Sequence, residues 1–158
     1  MNWSTALLTL LGTIVGASVT LLADGVRWRR DQHQRSQAMR REAYAAYLFA
    51  LHGTSENIRA VSLGEHAPDA SRTLAAMAAF RSSNLNAARE QLVLLAPAPV
   101  VHAADDTFRP LRKMRNLLAQ GYDFSAPTYK EVLTRYQLAL KTLRNVMRGD
   151  LGTPYLDG

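Results

Sequence analysis

The stretch that decides the fold is Tyr129–Met147, YKEVLTRYQLALKTLRNVM. Its large apolar side chains alternate at spacings of four and three residues, at Tyr129, Leu133, Tyr136, Leu140, Leu143 and Met147. This period matches one face of an α-helix, and most of the other positions carry polar or charged residues. The pattern therefore predicts an amphipathic helix that Gly149 ends, and Thr128 with Glu131 just upstream matches a capping box.

Three segments upstream show the same helical period, and none shows the alternation of a strand. The first carries its apolar stripe at Tyr44, Tyr47, Leu48, Leu51, Ile58 and Val61. The second is predicted as one helix over about 69–96, with the inward-facing residues Leu74, Met77, Phe80, Leu85, Ala88, Leu92 and Leu95. The third places apolar residues over 101–118 and ends at Gly121.

The third segment contains Pro110, which removes a backbone donor. Either one helix is kinked at this proline, or a new helix starts at Thr107 and holds Pro110 in its tolerant first turn. We favour the kinked helix.

Four amphipathic segments with short connections predict an all-α fold, an antiparallel four-helix bundle over residues 43–149. Residues 150–158 are interpreted as a flexible tail. No proline or glycine interrupts residues 26–52, so we expect the first bundle helix to continue upstream without a break.

Residues 1–23 carry no charged side chain. A helix over residues 3–23 is roughly 31 Å long at about 1.5 Å per residue, which matches the roughly 30 Å hydrocarbon core of a bilayer. A cleaved signal peptide would need a basic start and a small residue where this chain has Leu21, and a buried core helix would be shorter. An interfacial helix would need a polar face. We therefore predict a transmembrane helix over residues 1–23.

Residues 24–42 carry six arginines against three acidic residues and are predicted to form a basic juxtamembrane stalk helix. Arginines beside a span stay in the cytoplasm, so the N-terminus is expected outside and the bundle inside. Indole rings settle at the membrane interfaces, and arginines attract anionic headgroups. The predicted membrane-anchor and headgroup residues are Trp3, Arg27, Trp28, Arg29, Arg30 and Arg35.

Gly12 and Gly16 form the sequence GTIVG within the predicted span. Two small residues at this spacing let transmembrane helices approach closely. They are a candidate helix-association site, for a second copy or a partner helix, and the alternative is that the spacing is incidental.

The uncharged span, the stretch DGVRWRRDQHQRSQAMRREAYAAYL and the Ala/Arg-rich helical remainder together resemble the uncharacterised small single-span (bitopic) membrane proteins of GC-rich Gram-positive bacteria. The resemblance covers mainly residues 1–51 and is one of style, without a diagnostic motif. It implies a location in the bacterial inner (cytoplasmic) membrane and brings no activity or site residues.

The sequence lacks the motifs that catalysis or metal binding would need. It has no cysteine, P-loop, Gly-x-Ser-x-Gly, Glu-x-x-His or His-Glu-x-x-His motif. His52 with Glu56, and His102 with Asp106, lie one helical turn apart but are interpreted as surface pairs. We therefore predict no enzyme activity, no cofactor and no metal site.

A candidate basic patch consists of Arg109, Arg112, Lys113 and Arg115, and a second basic row consists of Lys141, Arg144 and Arg148. Such rows are usually solvated helix faces, and neither has interleaved aromatics in the sequence. If they shared one surface with the stalk arginines, they would face anionic lipid.

These features predict a membrane-anchored cytosolic helical-bundle interaction module, a scaffold, adaptor or accessory subunit that binds a protein partner or itself. The alternative is an electrostatic binder of anionic lipid or nucleic acid at the membrane, although nucleic acid is not the expected partner. A metal-dependent bundle enzyme is the least favoured hypothesis.

Overall fold

The computed structural model describes the backbone of residues 3–65 and 71–154, and the side chains of residues 34–65 and 71–154 together with Trp28 and Gln32. These ranges contain helices and no strand, so the predicted all-α class is confirmed. The helices are α1 Trp3–Ser62, α2 Arg72–Ser82, α3 Leu85–Leu95, α4 Ala98–Ala119 and α5 Pro127–Asp150.

The chain divides into two compact units, residues 1–38 and residues 39–158. Where side chains are described, no helix has both the length and the apolar character needed to cross a bilayer. The side chains of the predicted span over residues 1–23 lie outside that description. The same holds for the predicted anchor and association residues Trp3, Gly12, Gly16, Arg27, Arg29 and Arg30.

The prediction of a single second helix is wrong, because two helices, α2 and α3, occupy this segment. Between them, Asn84 adopts the left-handed backbone conformation with φ of 54°, which interrupts the helix. The hydroxyl of the preceding Ser83 shares a hydrogen bond with the hydroxyl of Thr54 on α1. Serine and asparagine side chains favour turns over helix interiors, and this contact with α1 fixes where the turn forms.

The break also changes which residues of this segment face inward. Leu74 was expected in the core, but 63% of it is exposed. Phe80 is buried as predicted, and the remainder of the buried face of α2 consists of Ala76 and Ala79. On α3, Leu85 and Leu92 are buried as predicted, whereas Leu95 is only half-buried.

Helix α4 continues through Pro110, so the alternative of a new helix at Thr107 is wrong. Gly121, at φ of 92°, follows its end as predicted, and the N–H of Tyr122 donates to the carbonyl oxygen of Leu117 at 3.0 Å. In α5 the predicted capping box is absent, because the helix begins at Pro127 and Glu131 accepts a hydrogen bond from Arg135 instead.

The helices α1, α2, α3, α4 and α5 all contribute side chains to the core of the second unit. Its largest fully buried side chains are Tyr47, Tyr129, Leu51, Ile58, Leu85, Leu92, Leu111, Met114, Leu118, Leu143, Val100 and Val132. The tyrosines of the predicted stripes, Tyr44, Tyr47, Tyr129 and Tyr136, are all buried. Tyr47 also binds across the core, since its hydroxyl donates to the carbonyl oxygen of Ala104 at 3.1 Å.

Candidate functional site

The two ends of the second unit are joined by a small polar cluster. Arg40 Nη1 lies 3.2 Å from Asp150 Oδ1, and the Tyr44 hydroxyl donates to Asp150 Oδ2 at 2.7 Å. Burial, followed by the Asp150 carboxylate, raises the pKa of Tyr44 well above its usual range, so the hydroxyl remains a donor. Arg40 was assigned to the stalk and Asp150 to the tail. Within the structure, the two residues pair with each other.

Two residues of the predicted membrane anchor have described side chains, and both are exposed. Trp28 exposes 66% of its surface, and Arg35 is also exposed. An exposed indole and guanidinium are free to meet an interface or a partner.

The predicted basic patch on α4 divides between two grooves. Arg109 and Lys113 line a groove against α5, whose volume is about 250 Å³. Arg112 and Arg115 line a groove against α2, whose volume is about 390 Å³. The four cations therefore do not act as one patch.

On the α5 side, acidic partners accompany the cations. Arg109 Nη1 lies 3.3 Å from Asp106 Oδ1, and Arg135, which lines the same groove, lies 2.6 Å from Glu131. These exposed pairs reduce the local positive potential while adding little stability.

On the α2 side, three arginines line one groove without an acidic residue. We call this the arginine groove; its lining residues are Met77, Phe80, Arg81, Asn86, Phe108, Arg112 and Arg115. None of its arginines forms an ion pair within the part of the chain that the structure describes. The groove therefore carries an uncompensated positive charge.

The wall of the arginine groove is aromatic. The rings of Phe80 and Phe108 meet edge to face, with centroids 5.7 Å apart. The Arg115 guanidinium carbon lies 4.8 Å from the Phe80 ring centroid, a cation–π contact. Burial against this wall lowers the pKa of Arg115, and the charge of the neighbouring Arg112 lowers it further.

A second cleft, of about 360 Å³, lies between α1, α4 and α5. His52, Glu56 and Arg59 line its rim from α1, and Tyr136 lines its wall. The Tyr136 hydroxyl is buried and makes no hydrogen bond among the described residues. Burial raises the pKa of Tyr136, while the Ser55 hydroxyl donates its proton to the His52 carbonyl oxygen at 2.9 Å.

An apolar groove of about 440 Å³ follows α4 and α5. Leu138 projects there with 68% of its surface exposed. Pro99, Ala103, Ala139 and Val146 extend the apolar lining along both helices. The polar residues His102, Asp106, Arg135 and Thr142 also line this groove, and apolar side chains exposed among polar ones are common at protein-binding surfaces.

The histidine–carboxylate pairs of the sequence do not come together. His52 and Glu56 line the cleft between α1, α4 and α5, whereas His102 and Asp106 line the groove that contains Leu138. Within residues 34–65 and 71–154, no group of three potential metal ligands is found.

The sequence pattern did not single out two residues that line these grooves, Arg81 and Leu138. Arg81 belongs to α2 and joins the α4 arginines only through packing, so no spacing in the sequence could reveal it. Leu138 had a signal, because it is a large apolar residue outside the α5 stripe.

The chain matches no known family model, no curated protein and no solved structure.

Proposed function

We propose that this chain is a membrane-anchored helical interaction module that holds residues 39–158 at the cytoplasmic face of a bacterial inner membrane, where they bind a protein partner or a second copy. The observation that carries the proposal is the order of charges along the sequence. Residues 1–23 have none, and six arginines follow within residues 24–42. In this proposal the first segment is the anchor, and the arginines hold the remainder on the inner side.

The module in this proposal is an antiparallel four-helix bundle in which α2 and α3 together take the place of one helix. Three contacts support it. Tyr47 of α1 binds Ala104 of α4, and Asn57 of α1 binds Ser82 of α2 at 3.1 Å. The ion pair of Arg89 with Asp105, at 2.7 Å, joins α3 to α4.

Partner binding is assigned to the apolar groove between α4 and α5. An amphipathic helix that lays its apolar face into such a groove is a common mode of recognition. Leu138 stands at the centre of this assignment, because leaving so large an apolar side chain in water is unfavourable and covering it is favourable.

Site-specific photo-crosslinking in the native membrane tests this assignment. A photoreactive residue replaces Leu138 in the full chain, and Gln91, an exposed residue of α3, is replaced in the matched control. We expect one discrete adduct from position 138 and none from position 91. An adduct of twice the chain mass identifies a second copy, and another discrete mass identifies a partner. Indistinguishable patterns from both positions would exclude the groove.

The electrostatic alternative is separated by a salt series. Binding of the full chain through phosphate or headgroup contacts weakens steeply as salt rises, whereas the Leu138 adduct should persist. An adduct that disappears in parallel with vesicle binding would favour the electrostatic alternative.

A further inference from the structure

We infer that the arginine groove between α2 and α4 binds a phosphoryl group, carried by a lipid headgroup or by a soluble phosphorylated molecule. The inference rests on the three arginines that converge there and requires neither the membrane anchor nor the α4–α5 groove. It goes beyond the proposed partner-binding function, because it assigns a ligand class to a different surface.

The arginine groove concentrates positive charge from two helices. Arg81 reaches the groove from α2, and Arg112 and Arg115 reach it from α4. Like charges gathered without an acidic partner repel one another. The pKa of Arg115 is lowered by burial and then by the charge of Arg112. A bound dianion would relieve the repulsion, which favours phosphate over a singly charged ligand.

The three arginines of the groove also have N–H donors that a ligand could use. Arg112 is exposed and makes no ion pair among the described residues. Arg81 donates Nε to the Met77 carbonyl oxygen at 3.3 Å, which leaves its two terminal nitrogens for a ligand. Arg115 donates Nε and Nη2 to Asn116 at 3.1 and 2.7 Å, so Nη1 remains. Planar guanidinium groups with free N–H donors match the geometry of phosphate oxygens.

Contacts within the protein restrain two of the arginine side chains. The cation–π contact with Phe80 and the two bonds to Asn116 restrain the Arg115 guanidinium. Preorganised donors lose less conformational freedom on binding. Arg81 is held in part by its bond to α2.

The arginine groove also has an apolar wall. Met77, Phe80 and Phe108 lie beside the arginines, and the groove volume of about 390 Å³ falls in the range of small-molecule sites. Such a site accommodates a phosphoryl group attached to an apolar body better than free phosphate alone. The groove on the other side of α4 lacks this combination, since Asp106 neutralises Arg109 there.

Calorimetric titration of the full chain in a neutral detergent tests the inference with three probes. Pyrophosphate represents a soluble phosphoryl ligand, dioctanoyl phosphatidic acid represents a lipid headgroup, and dioctanoylglycerol lacks the phosphoryl group. The variant Arg81→Gln/Arg112→Gln removes two exposed arginines of the groove. The control Arg109→Gln/Lys113→Gln removes the same charge from the other side of α4.

We expect saturable binding of a phosphorylated probe and none of dioctanoylglycerol. Loss of two charge-assisted contacts should raise the Kd at least about tenfold in Arg81→Gln/Arg112→Gln, with a change of less than about threefold in the control. Tighter binding of phosphatidic acid than of pyrophosphate would identify a lipid ligand, and the reverse would identify a soluble one. Equal weakening in both variants, or no saturable binding of either phosphorylated probe, would overturn the inference.

Discussion

The two compact units of the chain organise charge in opposite ways. Across residues 1–38, charge depends on position along the sequence, with none in residues 1–23 and, after it, four arginines at 27, 29, 30 and 35 against the aspartates at 24 and 31. In residues 39–158, charges are interspersed, and packing pairs several of them, as in Arg40 with Asp150 and Arg89 with Asp105. Charge in the first unit therefore follows sequence order, whereas charge pairing in the second unit depends on the packing of helices that are distant in sequence.

The largest expected effect separates location from folding. The variant Ile14→Lys/Val15→Lys places two charges at the middle of the predicted span, and each costs about 2.5–3.5 kcal/mol there. We expect the full chain to leave the membrane pellet, while the unfolding of residues 39–158 changes little. The control Gln91→Lys/Thr134→Lys adds the same charge at exposed positions of the second unit. If the first variant pelleted like the control, residues 1–23 would not be the anchor.

The reverse experiment disturbs the second unit alone. Leu111 of α4 is fully buried, so Leu111→Ala should lower the free energy of unfolding by about 2–5 kcal/mol through lost burial and a new cavity. Denaturant titration followed by the helical circular dichroism signal measures this loss. Membrane pelleting should remain unchanged. The adjacent exposed Arg112→Ala should stay within about 0.5 kcal/mol of the parent chain, and an equal loss in both variants would refute the assigned facing of α4.

A smaller effect tests whether packing selects among charge pairs. Arg89 binds Asp105 through Nε at 3.1 Å and Nη2 at 2.7 Å, and it also binds Glu90 at 3.1 Å. The Asp105 side chain is 28% exposed and that of Glu90 is 72% exposed. Asp105→Asn should therefore destabilise by about 1–2 kcal/mol, and Glu90→Gln by less than about 0.5 kcal/mol. Chemical denaturation decides it, and equal losses would mean that burial does not distinguish the two pairs.

The smallest mutational effect concerns two buried tyrosine hydroxyls. The Tyr47 hydroxyl has a partner, the Ala104 carbonyl oxygen, whereas the Tyr136 hydroxyl has none among the described residues. Tyr47→Phe should lose about 1 kcal/mol, and Tyr136→Phe should lose nothing or gain slightly, because it removes an unsatisfied group. Thermal unfolding of the two variants makes the comparison. A clear loss in Tyr136→Phe would indicate a partner for that hydroxyl.

The stability difference between Tyr47→Phe and the parent chain should depend on alkaline pH. Burial raises the pKa of Tyr47 in the folded chain above its unfolded value of about 10. The stability that this shift contributes is fully present below pH about 10 and is lost as pH rises through the folded pKa. The deficit of Tyr47→Phe relative to the parent chain should therefore narrow above pH about 10 in denaturant titrations. A deficit that is constant with pH would contradict the raised pKa.

Local sequence patterns predicted most of the helices but not the break between α2 and α3. The stripes of α4 and α5 are regular, and the burial of Tyr129 and Tyr136 follows from the helical period of α5. Ser83 and Asn84 gave no comparable signal, because polar residues are also common on exposed helix faces. The contact that fixes the turn joins Ser83 to Thr54 of α1, and only the fold brings those two residues together.

The candidate site was predictable only in part, for the same reason. Arg112 and Arg115 were visible as neighbours on one helix, but the sequence grouped them with Arg109 and Lys113. Packing of α2 and α5 on opposite sides of α4 separates these pairs. Arg81 completes the arginine groove from α2, a helix whose buried residues the sequence pattern predicted correctly only at Phe80.

In the proposed topology, a transmembrane anchor over residues 1–23 holds residues 39–158 in the cytoplasm. Because the chain contains no cysteine, this topology can be tested directly by cysteine labelling. Single cysteines replace Asn2 or Thr153 in the full chain, and a membrane-impermeant maleimide is added to intact cells. We predict labelling of Asn2→Cys in intact cells and of Thr153→Cys only after permeabilisation. Labelling of Thr153→Cys in intact cells would contradict it.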